Sequence, residues 1–519
     1  MKGLLRPLSF GIALLLAQPG HSDTLRDIYD LALKNDPKLR AAAATFRANQ
    51  ETEVQARSRL LPQVGADASY GWTHREQEAQ GVIAGAGAVF DFRPGDQRSE
   101  LDARDRTWGV SLSQPLLDLP AWFSFQSGKE LSKQAEAQFA YEQQDVIVRV
   151  AQAYFAVLRA GDNLRASLAE ERATKRQFDQ TQKRFDVGLI AITDVHEARA
   201  AFDSTIAQRL IDEGDVARAY EALTALTGQS HTNLWVLNKD FPVTEPVPAA
   251  RDEWVDFALK NNYALKAAFY GMAAAGENAE AKRMEHLPKI TGNLSYQDDS
   301  LRGDQDYSPA SIFATDPDAD TTTSAAMLKL TVPIFTGGYT SSARRQAAEQ
   351  YNTALERRIE TERSTVQATR SQHIAVSTDI QRVKARSQSI ISAQSAVDAT
   401  SAGYEVGTRN VVDVLVAQRT LYNNARDYAN ARYDYVLDTL KLKQQAGTLT
   451  PQDIADLDTW LVAPDSPTAR TFQNFTDQSQ LMDDDTTAPA TEENLQPAPA
   501  ATPPREPINP RQSGKPQQR

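Results

Sequence analysis

The sequence predicts a mostly α-helical protein that carries a transmembrane β-barrel and is built from two copies of one plan. Three observations predict this fold class: an ordered internal repeat, two long stretches without proline, and four segments whose side chains alternate between apolar and polar. The 519 residues carry a net charge of −12 and no cysteine. Disulfides, thiolate metal sites and a lipid-modified N-terminal cysteine are therefore excluded, and a nucleic-acid partner is not suggested.

The first 22 residues have the pattern of a secretory signal peptide. Lys2 and Arg6 are positive, and Leu8 to Ala17 form an apolar run that is too short to span a bilayer. A short anchor or a buried helix is the alternative. We expect residues 1–22 to direct export, and an exported chain without a membrane helix is either soluble or a β-barrel.

Short sequence blocks recur in order and divide the rest of the chain into two halves. An early series repeats at an offset of 226 positions, and a later series repeats at an offset of 219. An ordered series at constant offset indicates a duplicated structure. The matched pairs are 31–35 with 257–261, 61–62 with 287–288, Tyr70 with Tyr296, 184–188 with 403–407, 194–195 with 413–414, and Gly228 with Gly447.

Each repeat is predicted to run from a helix through a strand pair into a long helical hairpin. The first repeat, 23–228, has its strand pair at about 63–117 with a loop at 74–104, and its helical hairpin at 121–227. The second repeat, 251–447, has its strand pair at about 289–335 with a loop at 300–323, and its hairpin at 336–446. Equatorial segments are predicted at 229–250 and 448–464, and 465–519 is predicted to be a disordered tail rich in proline.

The proline map predicts the helices. No proline occurs in 121–241 or in 334–450. Because proline costs about 3 kcal/mol inside a helix, gaps of this size indicate very long helical stretches. Apolar residues within them step by three and four, as in a coiled coil, and a helix over 121–187 would extend ~100 Å. Gly188 and Gly407 are predicted to mark the turns of the two hairpins.

Strict alternation predicts the strands, in segments of ~10 residues that suit a tilted transmembrane strand. One such segment alone would equally suit a half-buried sheet of a soluble domain. Four strands cannot close around a lumen, so copies of the chain must pair their edges in a ring. The sequence does not count the copies, and three would give twelve strands. The four segments are 64–73, 107–113, 290–297 and 327–334.

The repeated blocks resemble the TolC family of outer-membrane efflux and secretion proteins, from about Thr24 to Asp458. That resemblance implies a homotrimer with a twelve-stranded barrel in outer-membrane lipid and a helical barrel that projects into the periplasm. It implies an exit duct that docks to an inner-membrane pump of ABC or RND type through a periplasmic adaptor, without cofactors. The blocks that carry it are 60–63, 184–195, 403–415, 429–435 and 446–449.

The resemblance implies a channel entrance at Asp413, where three carboxylates would face one another. Such a ring favours cations and repels anions. The family has a second acidic ring one turn away, where this chain has Val416. We therefore expect one acidic ring with an apolar collar. The alternative is that Asp413 only caps a helix or complements its first turn.

The resemblance also implies a gate lock, in which Arg409 bonds to Thr193 and Asp194 on the other hairpin and Tyr404 adds a hydrogen bond. A few charge-assisted bonds of about 1.5–3 kcal/mol each would suit a reversible switch. A static surface salt bridge, worth ~0–1 kcal/mol, is the alternative.

The two turn motifs of the hairpins resemble the family's adaptor contacts. Glycine there permits a tight turn and close backbone approach. A turn glycine without any partner is the alternative. The predicted contact residues are Val187, Gly188, Leu189, Val406, Gly407 and Thr408.

Two other function classes are weaker. The six histidines are scattered, and the sequence has no HExxH, P-loop or GxSxG motif, so we expect neither catalysis nor a metal site. His196–Glu197 is most simply a solvated helix face. A periplasmic adaptor, or a secreted coiled-coil protein without a pore, is the second interpretation, but it does not predict duplicated pairs of barrel-like strands.

Overall fold

The computed structural model describes residues 23–84, 92–308, 317–464 and 466, with only the backbone for 81–84 and 92–95. The predicted signal peptide at 1–22 and, apart from Ser466, the predicted tail at 465–519 lie outside the described residues. The described helices are α1 (Leu25–Asn35), α2 (Pro37–Ser58), α3 (Leu119–Asp186), α4 (Ile192–Thr227), α5 (Arg251–Asn261), α6 (Tyr263–Met284), α7 (Tyr339–Glu405), α8 (Val411–Gln445) and α9 (Pro451–Asp458).

The described strands form two sheets. The larger sheet is antiparallel with the order β1-β2-β4-β5, so β1 and β5 are its open edges. The smaller sheet pairs β3 with β6. The described strands are β1 (Gln63–Ala84), β2 (Phe92–Leu117), β3 (Val236–Leu237), β4 (Lys289–Ser308), β5 (Ala319–Thr331) and β6 (Leu461–Val462).

Each repeat begins with two helices, where the sequence predicted one. Asp36 ends α1 and caps α2, because its carboxylate accepts from the Lys38 N–H at 3.0 Å, and Pro37 starts the new helix. Asn262 has the same role between α5 and α6, where its side chain accepts from the Leu265 N–H at 3.0 Å. A polar residue that caps the second helix therefore breaks the predicted single helix in both repeats.

The helical hairpins are nearly equal in size. The outgoing helices α3 and α7 have 68 and 67 residues, and the returning helices α4 and α8 have 36 and 35. At 1.5 Å per residue, α3 extends ~100 Å. It starts two residues before the predicted boundary, because Pro120 is tolerated in the first turn and the Asp118 carboxylate accepts from the Ala121 N–H at 3.0 Å. Among the described residues, no helix is both long and apolar enough to cross a membrane.

The predicted loops at 74–104 and 300–323 are largely strand. In β1 and β2 the ladder continues without a break from Gln63↔Ser113 to Ala84↔Phe92. In the second pair, β4 runs to Ser308 and β5 begins at Ala319. Charged residues in these extensions carry no apolar alternation, but their backbone groups still pair in the antiparallel ladder.

The last predicted strand is shorter than expected. The sequence predicts strand to about 335, whereas β5 ends at Thr331. Pro333 cannot donate to a ladder, and Gly337 and Gly338 adopt positive φ values of 64° and 87°, so the chain turns there into α7.

The main hydrophobic core lies where the two repeats meet midway along the long helices. Tyr154 and Phe155 of α3 are fully buried there, against α1, α8, α9 and the small sheet. The Tyr154 hydroxyl donates to the Trp235 carbonyl at 2.6 Å. This core brings parts of the two predicted equatorial segments together through the β3–β6 pair.

Candidate functional site

The first hairpin turns at Gly188, which adopts φ +75°. Its N–H donates to the Phe185 carbonyl at 2.8 Å, and the Leu189 N–H donates to the Arg184 carbonyl at 2.9 Å. These bonds close the end of α3 around a left-handed residue, a conformation that favours glycine. The flanking apolar side chains remain outside: Val187 is 70% exposed and Leu189 is 73% exposed.

The second hairpin repeats this geometry at Gly407, with φ +78°. The Thr408 N–H donates to the Gly403 carbonyl at 2.8 Å, and the Thr408 hydroxyl donates to the same oxygen at 3.0 Å. Val406 is 75% exposed. The chain therefore presents two tight tips, each with a solvent-exposed apolar side chain beside the glycine. These are the six predicted adaptor-contact positions.

The predicted entrance residues lie at the start of α8. Asn410 is the N-cap, since its side chain accepts from the Asp413 N–H at 2.8 Å, so Asp413 is a first-turn acid and not the cap. Asp413 Oδ2 lies 3.6 Å from Arg409 Nη1, and both side chains are exposed. Val416, almost one turn further along, is 56% exposed.

Within one chain, the structure does not bring the predicted gate residues together. Among the described residues, Arg409, in the turn before α8, forms its ion pair with Asp413 in the first turn of that helix. On the other hairpin, the Thr193 hydroxyl donates to Asp194 at 3.4 Å. The expected bond from Arg409 to these two residues is therefore absent inside the chain. The polar side chains of each tip bond to neighbours in the same tip instead.

Tyr404 makes a different contact from the predicted one. It is 5% exposed, and the Arg184 guanidinium lies over its ring at 4.6 Å from the centroid. Arg184 Nη1 also donates to the Tyr404 carbonyl at 3.3 Å, and the Tyr404 hydroxyl lies 3.5 Å from Thr181 Oγ1. Tyr404 therefore joins α7 to α3, inside a small apolar cluster that also holds Ala198 and Val414.

Arg184 is the residue that sequence reasoning missed. In the sequence it belongs to a repeated block, where its counterpart at an offset of 219 is Gly403. The available signal is that the first repeat has a charged side chain where the second repeat has none. The asymmetry lets one arginine reach across to the tyrosine of the other hairpin.

A network of charges lies further along α7 and α8. Asp379 is buried and is paired with Arg382, which also lies 3.3 Å from Asp434, and Asp434 is paired with Arg159 of α3. Burial raises the pKa of Asp379 to about 6, against the lowering effect of Arg382, and the charge of Asp438 raises it further. This carboxyl therefore titrates near neutral pH, above its ordinary range.

One group among the described residues has metal-ligand spacing. His74, Glu76 and Glu100 have ligand atoms within 4.8 Å of one another, and all three are exposed on the extended strands. His74 Nδ1 lies 2.8 Å from Asp102, and Glu76 is paired with Arg98 at 2.7 Å. These pairs explain why the three side chains lie close together without a metal ion. The cluster is far along the chain from the hairpin tips.

The chain matches a known family model over most of its length. The model described as "Outer membrane efflux protein" covers residues 28–229 and 254–448, which correspond to the two repeats.

Curated relatives span nearly the whole chain. "Outer membrane protein TolC" of Vibrio cholerae is 35% identical over 469 residues, covering 89% of this chain and 99% of the relative. The protein of the same name from Escherichia coli is 32% identical and covers 89% and 90%. "Alkaline protease secretion protein AprF" of Pseudomonas aeruginosa is 26% identical and covers 91% and 94%.

Solved structures have the same fold. CusC, whose structures concern transmembrane channel formation, gives a TM-score of 0.68 at 17% identity, over 84% of this chain and 95% of that chain. VceC, an outer membrane protein of Vibrio cholerae, gives 0.65 at 19% identity, over 82% and 96%. The predicted fold class, a helical barrel with a membrane β-barrel, is confirmed.

Proposed function

The chain belongs to the outer membrane efflux protein family, and on that premise we propose that three copies form one exit duct, gated at the helical tips. It is an outer-membrane channel for efflux or secretion, it projects into the periplasm, and it acts in tripartite assemblies. We propose further that it performs no chemistry on its cargo.

The open edges of the large sheet are the observation that carries the proposal. β1 and β5 leave a row of backbone groups unpaired within one chain, although the sheet carries a lipid-facing side on which Val64, Tyr70 and Leu328 are exposed. Unpaired strand edges are not tolerated in lipid, so β5 of one copy must pair with β1 of the next. Three copies would close a barrel of twelve strands.

In the proposed gate, Arg409 finds its partners in a neighbouring copy. It reaches neither Thr193 nor Asp194 of its own chain, and its bond to Asp413 is exposed and weak. Exchanging this exposed pair for a bond to a neighbouring copy changes the free energy little. A docked adaptor that binds the open state more tightly could therefore shift the equilibrium between the closed and open states. Asp413 and Val416 then form the acidic ring and apolar collar of the entrance.

The bare apolar tips are the proposed docking points. Val187, Leu189 and Val406 cover no core of their own chain, and each lies beside a glycine that permits close backbone approach. We propose that a periplasmic adaptor binds both tips and links the duct to an ABC- or RND-type pump. The secretion role named for AprF supports protein cargo, and the efflux family supports small molecules.

Single-channel conductance in planar bilayers tests the gate. The variant Arg409→Ala is expected to raise conductance several-fold, because it removes the proposed bond of Arg409 to a neighbouring copy. Arg386→Ala is the matched control: its 3.0 Å pair with Asp427 is similarly exposed but lies further from the tips along the helices, and its conductance should stay at wild type. Equal conductance in all three proteins would refute the gate.

A further inference from the structure

The lipid-facing side of the large sheet changes its chemistry abruptly along the strands. Near the helices this side is apolar, with the paired rows Val64–Leu112–Leu294 and Ala66–Val110–Tyr296. The next row pairs Trp108 with Asp298, whose carboxylate accepts from the Thr322 hydroxyl at 3.1 Å. Directly paired residues on neighbouring strands share one face, so the ladder defines which side chains stand together. Three arginines follow on the same face, and here they are called the arginine patch: Arg104, Arg106 and Arg302.

The arginine patch places like charges directly opposite each other. Arg104 of β2 is the register partner of Arg302 of β4, and Arg106 lies two residues away on the same face. Like charges at directly opposed positions destabilise a sheet unless something neutralises them. The arrangement therefore favours a bound anion.

The chain itself neutralises the patch only in part. Arg302 is paired with Asp320, and this carboxylate also interacts electrostatically with Arg106, which lies in the same paired row. Among the described residues, Arg104 and Arg106 make no hydrogen bond or ion pair, and both are exposed. Neither of these two guanidinium groups is held by a direct bond, so each can offer phosphate its planar fork of donors.

Aromatic side chains indicate how deep the arginine patch lies in the membrane. Arg106 is the register partner of Tyr70, and Arg104 is the register partner of Trp72. Tyrosine and tryptophan on the lipid face of a barrel lie at the level of the lipid headgroups. The strand tips point away from the helices, so this level is that of the outer leaflet.

Acidic rows limit the patch on its far side. The next paired row holds His74, Asp102 and Asp304, and the row after it holds Glu76, Glu100 and Asp306. A phosphate group is therefore attracted to the two rows of Tyr70 and Trp72 and repelled by the rows beyond them.

We propose that Arg104, Arg106 and Arg302 bind the phosphate groups of an anionic lipid headgroup in the outer leaflet. The occupant is a lipid and not a soluble anion, because the patch continues the apolar face and is flanked by headgroup-level aromatics. Arg104 and Arg106 stand about 6.7 Å apart along β2, which suits a headgroup with more than one phosphate. Bound lipid offsets the repulsion between the opposed arginines.

Native mass spectrometry of the delipidated full-length protein, assembled in detergent, tests the proposal. The probes are bisphosphorylated lipid A, its monophosphorylated form and inorganic phosphate. We expect Arg104→Gln with Arg106→Gln to weaken binding of the bisphosphorylated lipid at least tenfold, and to affect the monophosphorylated form less. Arg75→Gln is the matched control, since Arg75 is an exposed arginine on the opposite face of β1, just beyond the patch, and it should change binding less than twofold.

Three results would overturn the proposal: binding by the double variant within twofold of wild type, an equal loss in Arg75→Gln, or full displacement of the lipid by millimolar inorganic phosphate. If the glutamine variant fails to assemble, Arg104→Lys with Arg106→Lys keeps the charges but removes the planar forks, and a several-fold loss is expected. Conductance of the same preparations reports separately on the channel, so loss of lipid binding is distinguishable from loss of function.

Discussion

The contact between Arg184 and Tyr404 is predicted to hold the two helical hairpins of one chain together near their tips. Tyr404→Ala removes a ring that is 95% buried, and Arg184→Gln removes both the cation–π contact and the bond to the Tyr404 carbonyl. Both changes leave the turn glycines and the exposed apolar tips untouched. They therefore test the junction without altering the docking surface.

The structure sets the expected size of each effect. Deleting an aromatic ring from a packed site costs about 3–5 kcal/mol. A cation–π contact contributes about 0.5–2 kcal/mol, and a charged donor adds about 1.5–3 kcal/mol when it is well buried. Arg184 is half-buried, so we expect a coupling energy of about 1–2 kcal/mol between the two positions. Tyr404→Phe should cost less than about 1 kcal/mol, since the hydroxyl contact at 3.5 Å is long.

Hydrogen exchange of the assembled channel measures these energies locally. At about 1.4 kcal/mol per tenfold, Tyr404→Ala should lower protection of residues 400–416 by roughly a hundredfold or more. Tyr428→Ala, in a separate cluster of the same helix pair, is the control and should leave that segment unchanged. Two results would refute the proposed role of the Arg184–Tyr404 contact. One is unchanged protection in Tyr404→Ala, and the other is strictly additive effects of Tyr404→Ala and Arg184→Gln on protection.

Two further predictions concern the charge network and the turns. Because the folded-state pKa of Asp379 is about 6 against an ordinary 3.8, the folded protein holds the extra proton between these values and loses stability as pH rises through them. The free energy of unfolding of Asp379→Asn minus that of wild type should therefore rise by about 2 kcal/mol from pH 4 to pH 7 in denaturant titrations. A difference that does not change with pH would contradict the assigned pKa. Separately, the methyl group added in Gly407→Ala would meet no atom within 4 Å, but the backbone there has a φ of +78°. Calorimetry should therefore show that the free energy of unfolding falls by about 1–2 kcal/mol. Gly161→Ala, inside α3 with equal space, should instead stabilise, and equal effects at both glycines would exclude backbone strain as the cause.

The sequence predicts the long helices and the membrane strands because each has a strong local signature. Proline is excluded from a helix interior by sterics, so the gaps before Pro242 and Pro451 bound the two hairpins. The alternation from Val64 to Trp72 follows from one face in lipid. Gly188 and Gly407 mark the turns because the required left-handed backbone favours glycine.

Other features escape prediction because they depend on partners distant in sequence. The segments 74–84 and 92–104 are charged, and only pairing with each other and with β4 makes them strands. The junction of Arg184 with Tyr404 spans 220 positions and leaves no local pattern. The predicted bond from Arg409 to Asp194 rested on resemblance, and within one chain the exposed Asp413 competes for the same guanidinium.

The pairing of β2 with β4 also has a consequence for how the chain folds. Both helical hairpins and both strand hairpins form from neighbouring segments, so their formation is fast. The β2–β4 ladder joins residues 98–117 to 290–308, and the whole first helical hairpin lies between them in sequence. That helical hairpin must fold back on itself before β2 and β4 can pair. Closure of the sheet is therefore expected to be the slow step of maturation, and a chain halted there exposes two separate strand hairpins prone to aggregation.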